Sequence, residues 1–471
     1  MKRRLLTALA LLSLALPLSA TAAPVVSTEA DQKGVALTIY NQNLGLVKDR
    51  REIRLPAGSG ELRFMDVAAQ IIPTSVSIAA VAGGSLQVLE QNYEYDLLSP
   101  QKLMEKYVGK EVKLYQKNPH SEREEVVTAT LLSTNGGPVF RIGNEITFGH
   151  PGRVIFPGVP DDLIARPTLV WLLDGGAGRT QTVEATYLTG GITWRADYVV
   201  TLSEKDDRAD LAGWVTIDNR SGAAYRNATL KLVAGDVNRV QDQAPRLAKT
   251  MRAEAMAAPA PQFREEAFFE YHLYTLQRPS TIKENQTKQI SLLAAEGVPV
   301  KKEFVLRGEN FYYYNPAGEA MGKQKVGVFA EFENRKEHNL GMPLPRGIVR
   351  LYKRDAGGSL QFVGEDSIDH TPEKEKVRVK LGDAFDVVGE RKQTEWRKVA
   401  ADTYEAAFEI KLRNHKKEDV VVKVVEPVPG DWQMLTSSHP HRKGDAFAAE
   451  FSVPVPKDGE TTLAYRVRMR Y

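Results

Sequence analysis

The sequence predicts an all-β, multidomain protein built from antiparallel β-sandwiches, with an immunoglobulin-like C-terminal domain and a small SH3-like barrel insertion. Two observations predict this fold class. Apolar and polar residues alternate along many short segments, as expected of strands that bury one face. Gly, Pro and Asn interrupt these segments about every ten residues, which is the spacing of turns in sandwiches and barrels.

The first 22 residues have the pattern of a secretory signal peptide. Basic residues 2–4 precede an apolar run at residues 5–18, and small residues follow at Ala20 and Ala22. This pattern predicts cleavage after Ala22 and export to the periplasm by the general secretory route. The apolar run is shorter than the roughly 20 residues of a transmembrane helix, so no transmembrane segment is expected in the mature chain.

Composition argues against several classes of partner and site. The leader holds three of the 63 Lys and Arg residues and none of the 60 Asp and Glu residues, so the mature chain is expected to be neutral. A nucleic-acid-binding protein usually carries a basic excess, and nucleic acid is therefore not an expected partner. The chain has no cysteine, which excludes disulfides, thiolate nucleophiles, thiolate metal sites and a lipid anchor on cysteine.

Residues 23–97 and 161–240 are predicted to form one sandwich, interrupted by an inserted module at residues 98–160. The module opens with a helical pattern at residues 98–109, where Ser99 is a suitable helix cap. Short strands typical of a small SH3-like barrel follow it. The mature length of roughly 450 residues agrees with two to four domains.

Residues 241–262 are predicted to be a linker, because Ala, Gln, Met, Pro and charged residues replace the alternating pattern there. We expect limited proteolysis to begin in this segment. Residues 263–395 are predicted to form a second sandwich, and residues 396–471 the immunoglobulin-like domain.

The last strand has the clearest alternation of the chain. Its apolar residues should lie in the core of the C-terminal domain and its arginines should face solvent. The apolar set is Leu463, Tyr465, Val467, Met469 and Tyr471, and the arginines are Arg466, Arg468 and Arg470.

Four segments of the chain stand out, and they read TGGITWRADY at residues 189–198, GWVTIDNRSG at 213–222, LPRGIVRLY at 344–352 and KLGDAFDV at 380–387. These segments resemble a family of exported bacterial proteins of unknown function, the mucoidy-inhibitor-A-like proteins. Longer members of the family carry a coiled coil between their conserved portions, and no sustained heptad occurs here. The resemblance implies a fold and a compartment rather than a chemistry, so Trp194 and Trp214 are interpreted as core residues.

Two motifs of known enzymes are better explained as local structure. Residues 174–180 are glycine-rich like a phosphate loop, but the pattern after them is that of a strand, which favours a hairpin turn. Ser99 and Lys102 have the spacing of a serine–lysine nucleophile without its partner motifs, which favours a helix cap.

An aromatic run at residues 311–314 is the first candidate ligand site. On a strand, Tyr312 and Tyr314 would project from one face and could form a stacking surface for a sugar ring or a protein. Cross-strand packing is the alternative interpretation.

Two polar clusters are further candidates. Asp366, Asp369 and His370 could bind a cation or form an acid–base pair, or simply make a turn before a proline. His439 and His441 are spaced to project from one face of a strand and could begin a metal site, with an exposed loop as the alternative.

The sequence favours a non-enzymatic envelope protein that binds an unknown envelope protein or glycan. It contains no coherent catalytic set, and no cofactor is expected. The alternative is a periplasmic hydrolase that acts on glycan through carboxylates contributed by distant strands.

Overall fold

A computed structural model of the chain describes residues 23–55, 57–81, 86–117, 124–149, 152–160, 162–235, 237–238, 262–316 and 321–471. Most of these residues lie in strands, and several sheets pack as sandwiches, so the predicted all-β, multidomain fold class is confirmed. The predicted signal peptide, and the predicted linker up to residue 261, lie outside the described residues.

Helices are short in the part of the chain that the structure describes. The α-helix α1 spans Pro100–Lys106, and Ser99 Oγ accepts a hydrogen bond from Lys102 N at 3.1 Å, so the predicted cap is confirmed. No described helix is long and apolar enough to cross a membrane. Short 3₁₀ helices span Glu29–Asp31, Pro73–Ser75, Asn310–Tyr313 and Lys336–His338.

Strands alternate with tight turns along the whole described chain. The first thirteen are β1 (Val25–Ser27), β2 (Gln32–Tyr40), β3 (Leu44–Arg54), β4 (Ala57–Met65), β5 (Ser77–Ala80), β6 (Gln87–Glu94), β7 (Glu111–Lys117), β8 (Glu124–Ser133), β9 (Val139–Ile142), β10 (Glu145–Phe148), β11 (Arg153–Ile155), β12 (Thr168–Ala177) and β13 (Thr180–Thr189). The next nine are β14 (Ile192–Leu202), β15 (Arg208–Asn219), β16 (Tyr225–Ala234), β17 (Phe263–Phe268), β18 (Tyr271–Leu276), β19 (Ser280–Ile282), β20 (Gln286–Pro299), β21 (Lys301–Arg307) and β22 (Lys323–Glu333). The last nine are β23 (Gly347–Arg354), β24 (Leu360–Ile368), β25 (Lys376–Ala400), β26 (Thr403–Asn414), β27 (Val420–Pro427), β28 (Asp431–Ser437), β29 (His441–Asp445), β30 (Ala448–Val455) and β31 (Gly459–Arg470).

The described chain divides into two compact units, of which the first comprises residues 23–37, 45–191 and 220–228. It contains a four-stranded sheet in the order β1-β4-β12-β6, in which only β1 and β4 are parallel. Strand β13 pairs with both β3 and β5. The rings of Phe64 on β4 and Trp171 on β12 are buried and pack edge to face, with centroids 5.7 Å apart.

The inserted module of the first unit is a five-stranded antiparallel sheet in the order β10-β9-β8-β7-β11. Tyr107, Leu114, Leu131 and Phe140 are buried in its own small core. The sequence predicted a small SH3-like barrel here, but β10 and β11 stay at the two edges, so the described strands form an open sheet.

The second unit comprises residues 38–44, 192–219 and the described part of 229–471. One of its sheets has the order β20-β15-β14-β23-β24, with β14 and β23 parallel. Gly347 begins β23 where an added Cβ would lie 2.2 Å from the carbonyl oxygen of Ala196, so only glycine lets these strands approach. Trp194 is buried as predicted, whereas Trp214 is only partly buried because it projects from the other face.

The largest sheet of the second unit has nine strands in the order β28-β31-β26-β25-β22-β21-β27-β30-β29. It crosses the predicted boundary between residues 395 and 396, so strands from both sides of that boundary share one sheet. The sheet encloses an extensive apolar core. Leu463, Tyr465, Val467 and Met469 of β31 are buried in this core while Arg468 is exposed, which confirms the predicted faces of the strand itself. Tyr471 was also predicted to be buried, but it follows the end of β31 and is 42% exposed, so that part of the prediction is wrong.

Candidate binding site

Three β-bulges of the second unit bring side chains to one place. Val363 is an extra residue of β24, because Leu351 pairs with Gly364 and Tyr352 with Phe362. The second bulge is in β25 opposite β22, where Leu381 is the extra residue. The third bulge follows it in β25, where the four residues 384–387 lie opposite the single residue Val326 of β22, so that three of them are extra. Bulges bend a strand and redirect its side chains, and they occur often beside functional sites.

The bulged residues line a cavity of about 310 Å³, which we call the bulge pocket. Both large sheets of the second unit contribute to it. Its apolar lining from regular strands includes Leu202 of β14, Phe304 of β21, and Val328 and Ala330 of β22. Residues 381–386 of β25 form much of the remaining wall. The volume is at the lower end of the range typical of small-molecule sites, and it also suits one large side chain of a protein partner.

Phe385 lies at this pocket with 94% of its surface exposed to solvent. Phe385 is the middle one of residues 384–386, the extra residues of the bulge opposite Val326. This bulge keeps the ring of Phe385 out of the core, whereas Val387 further along the strand is buried. An aromatic ring held outside the core on a sheet bulge gives nothing to folding through burial. It is well suited to pack against a bound ligand.

Lysines and aspartates complete the lining of the bulge pocket. Asp206 accepts hydrogen bonds from Lys302 Nζ at 2.8 Å and from Lys353 Nζ. Partial burial raises the pKa of Asp206, but the two ammonium groups lower it by more, so the net shift is downward from the usual value. Asp206 therefore stays ionised at neutral pH and holds both lysines in place.

The second carboxylate of the lining is also paired with lysine. Asp383 Oδ1 lies 3.0 Å from Lys380 Nζ, and Asp383 Oδ2 lies 3.7 Å from Lys325 Nζ. Asp386 and Lys416 add one group of each sign. The pocket thus combines apolar walls with a few oriented charges, which is the usual composition of a binding site.

Asp206→Asn should lower the stability of the second unit at neutral pH and have less effect in acid. The pKa of Asp206 in the folded protein lies below its value of about 4 in the unfolded chain. Its carboxylate therefore stabilises the folded state fully at pH values above about 4, and this stabilisation is lost as the pH falls through the folded pKa. Thermal midpoints of wild type and variant should differ at pH 7 and approach each other as the pH falls below about 4. Asp369→Asn, at an exposed aspartate, is the control and should match wild type at both pH values.

The aromatic candidates are not on a strand, contrary to the prediction. Residues 310–313 form a 3₁₀ helix, whose three residues per turn do not give the alternating faces of a strand. Tyr312 is buried, and its hydroxyl accepts a hydrogen bond from Gln324 at 3.0 Å. Tyr314 is half-exposed and packs edge to face on Tyr471, with ring centroids 5.2 Å apart. Burial in the core therefore accounts for Tyr312, and aromatic packing accounts for Tyr314.

Asp366 of the second candidate cluster has other partners than Asp369 and His370, which both lie near Arg346. Asp366 lies on β24 and accepts hydrogen bonds from the backbone amides of Ser367 and Lys380, both at 2.8 Å. His370 Nδ1 accepts a hydrogen bond from the amide of Arg346 at 3.1 Å, and Asp369 is exposed. Asp369 Oδ1 lies 3.9 Å from Arg346 Nε, whereas the hydrogen bonds from two backbone amides explain the position of Asp366.

The two histidine candidates also have separate surroundings. His439 Nδ1 lies 2.9 Å from Ser438 Oγ, whereas His441 opens β29 and packs near the rings of Trp432 and Phe451. Among the described residues, no group of three or more His, Asp or Glu side chains could hold a metal ion.

Sequence reasoning did not find the bulge pocket, although one of its segments carries a signal. Residues 381–386 read LGDAFD, where Gly382 and two aspartates break the alternation of a long strand around an isolated phenylalanine. Comparisons with protein-family models and with curated proteins give no match to this chain.

Proposed function

We propose that this chain is an exported, non-enzymatic envelope protein that binds an envelope protein or glycan at the bulge pocket. The exposed ring of Phe385 above a partly apolar cavity carries this proposal. Hydrophobic walls supply binding free energy, while oriented lysines and aspartates supply specificity.

The clear pKa shifts among the described carboxylates give hydrolysis no support. A glycan hydrolase needs one carboxylic acid that stays protonated, and hence a raised pKa. In the described ranges, every carboxyl group whose pKa shifts clearly is shifted downward, Asp206 at the pocket included. The hydrolase therefore remains the second hypothesis.

The proposal includes the compartment and the family. The leader-like start supports export to the periplasm, with a mature chain that begins at Ala23. The four family-like segments support membership of the mucoidy-inhibitor-A-like family, and the segment 380–387 supplies most of the bulged wall. An immunoglobulin-like topology for the C-terminal strands belongs to the same proposal.

Phe385→Ala should abolish most ligand capture without loss of stability. Removal of an exposed ring costs little in folding, but it removes the aromatic surface at the pocket. Immobilised wild type and variant are compared for capture from detergent-solubilised envelope extract, with and without protease treatment of the extract. At least a tenfold loss in captured material is expected.

Phe148→Ala, at another exposed phenylalanine on an edge strand of the first unit, is the matched control. It should bind like wild type. Equal capture by wild type and Phe385→Ala would refute the site, and survival of capture after protease treatment would identify the ligand as glycan.

A further inference from the structure

A second exposed aromatic surface lies on the hairpin of β17 and β18, outside the bulge pocket. Phe268 pairs with Tyr271, so Phe269 and Glu270 make a two-residue turn. Phe268 is 55% exposed and Phe269 is 84% exposed. Two adjacent phenylalanines at a hairpin tip are unusual, since Gly, Asn and Asp dominate such turns.

The backbone of Phe269 adds a second cost. Its φ of 57° lies in the left-handed region, which a bulky side chain disfavours and which Gly or Asn adopts readily. The residue is therefore unfavourable for the turn and, being exposed, gains no stability from burial. Local strain that folding does not explain points to a function.

Packed side chains support this tip. The base of the hairpin is anchored in the protein by Phe263, Leu273 and Tyr274, all buried. Nearer the tip, the ring of Tyr271 lies over Gly235, where an added Cβ would come within 2.4 Å of Tyr271 Cδ1. The ring centroid of Tyr271 also lies 6.0 Å from that of Phe269, so the aromatic tip has a packed support.

The charges beside the tip indicate what it can bind. Glu266 and Glu270 are exposed on either side of the two phenylalanines. Glu265 Oε1 lies 2.7 Å from His272 Nδ1, and Arg264 is the basic residue of this hairpin. An acidic surface is repelled by anionic lipid, and it complements a surface that carries Lys or Arg.

We propose that the tip formed by Phe268 and Phe269 docks into an apolar cleft of a protein partner whose rim carries basic side chains. The phenylalanines act as the buried anchors of this interface, and Glu266 and Glu270 meet the basic rim. The surface is independent of the bulge pocket.

A photo-crosslinking amino acid in place of Phe268 tests the proposal in cells that produce the full chain. Irradiation should yield a discrete adduct with one protein, and the crosslinked peptide should contain apolar residues beside Lys or Arg. Adding Phe269→Gly should reduce the adduct at least tenfold while the thermal midpoint stays equal or rises, because glycine relieves the positive φ. Adding Glu266→Lys and Glu270→Lys together should cause a similar loss.

Two controls show whether the adduct depends on this hairpin tip. The same crosslinker in place of Phe148 should give no such adduct, and Phe385→Ala should leave the adduct at position 268 unchanged. The proposal is overturned if the adduct forms with residues 239–261 of the same chain, if charge reversal has no effect, or if no adduct exceeds that at position 148. Flotation with phosphatidylglycerol vesicles that depends on Phe269 would overturn it too.

Discussion

Val467→Asp is expected to unfold the nine-stranded sandwich, with a loss of more than about 4 kcal/mol in the free energy of unfolding. Val467 is fully buried on β31, where it pairs with Ala406 on one side and Met434 on the other. The substitution removes apolar burial and places a carboxylate in the core without a cation. Urea denaturation followed by tryptophan fluorescence measures the loss.

Val421→Asp is the matched control, because Val421 lies in the same sheet on β27 and is 56% exposed. It should change the free energy of unfolding by less than about 1 kcal/mol. If Val467→Asp kept the wild-type urea midpoint, Val467 would have to face solvent, and the assignment of the two faces of β31 would be wrong.

The period of the last strand was enough to predict its faces, since burial on one side of a sheet imposes alternation on the sequence. Alternation does not reveal what each exposed head group contacts. Arg468 is exposed, yet its guanidinium donates two hydrogen bonds to Oε1 of Glu405, at 2.9 and 2.7 Å, and Glu405 is buried. This ion pair forms because β26, which carries Glu405, lies beside β31. The pattern of either strand alone does not show that the two strands are neighbours.

The bulge pocket was beyond prediction for the same reason. A bulge exists only relative to the partner strand, and β22 lies about 55 residues before the bulged segment of β25.

The prediction that the aromatic run at residues 311–314 forms a strand was wrong for a different reason. Aromatic residues favour strands, but the short helical turn begins at Asn310 and ends at Tyr313. Tyr312 and Tyr313 are buried there, so packing in the core outweighed the aromatic preference.

The core of the nine-stranded sandwich also contains a buried ion pair that no periodicity indicates. Arg391 Nη1 donates to Glu426 Oε2 at 2.6 Å, and both side chains are fully buried. The hydroxyls of Tyr313 and Tyr465 donate to the same oxygen at 2.7 and 2.9 Å. Burial, and then the charge of Glu426, raise the pKa of both tyrosines well above the ordinary value, so both remain donors in alkaline solution.

Arg391→Met should destabilise the sandwich by about 3–5 kcal/mol, because it leaves the Glu426 carboxylate buried without its cation. The double variant Arg391→Met with Glu426→Leu should recover most of this loss. Nη2 of Arg391 and Oε1 of Glu426 have no hydrogen-bond partner among the residues that the structure describes, so within that part of the chain the pair is incompletely satisfied. The two tyrosine hydroxyls lie 2.8 Å apart and can still form a hydrogen bond with each other after both charges are removed.

Urea denaturation of the two variants and of wild type measures the loss of stability and its recovery. A double variant no more stable than Arg391→Met would show that the pair contributes net stability, contrary to this expectation.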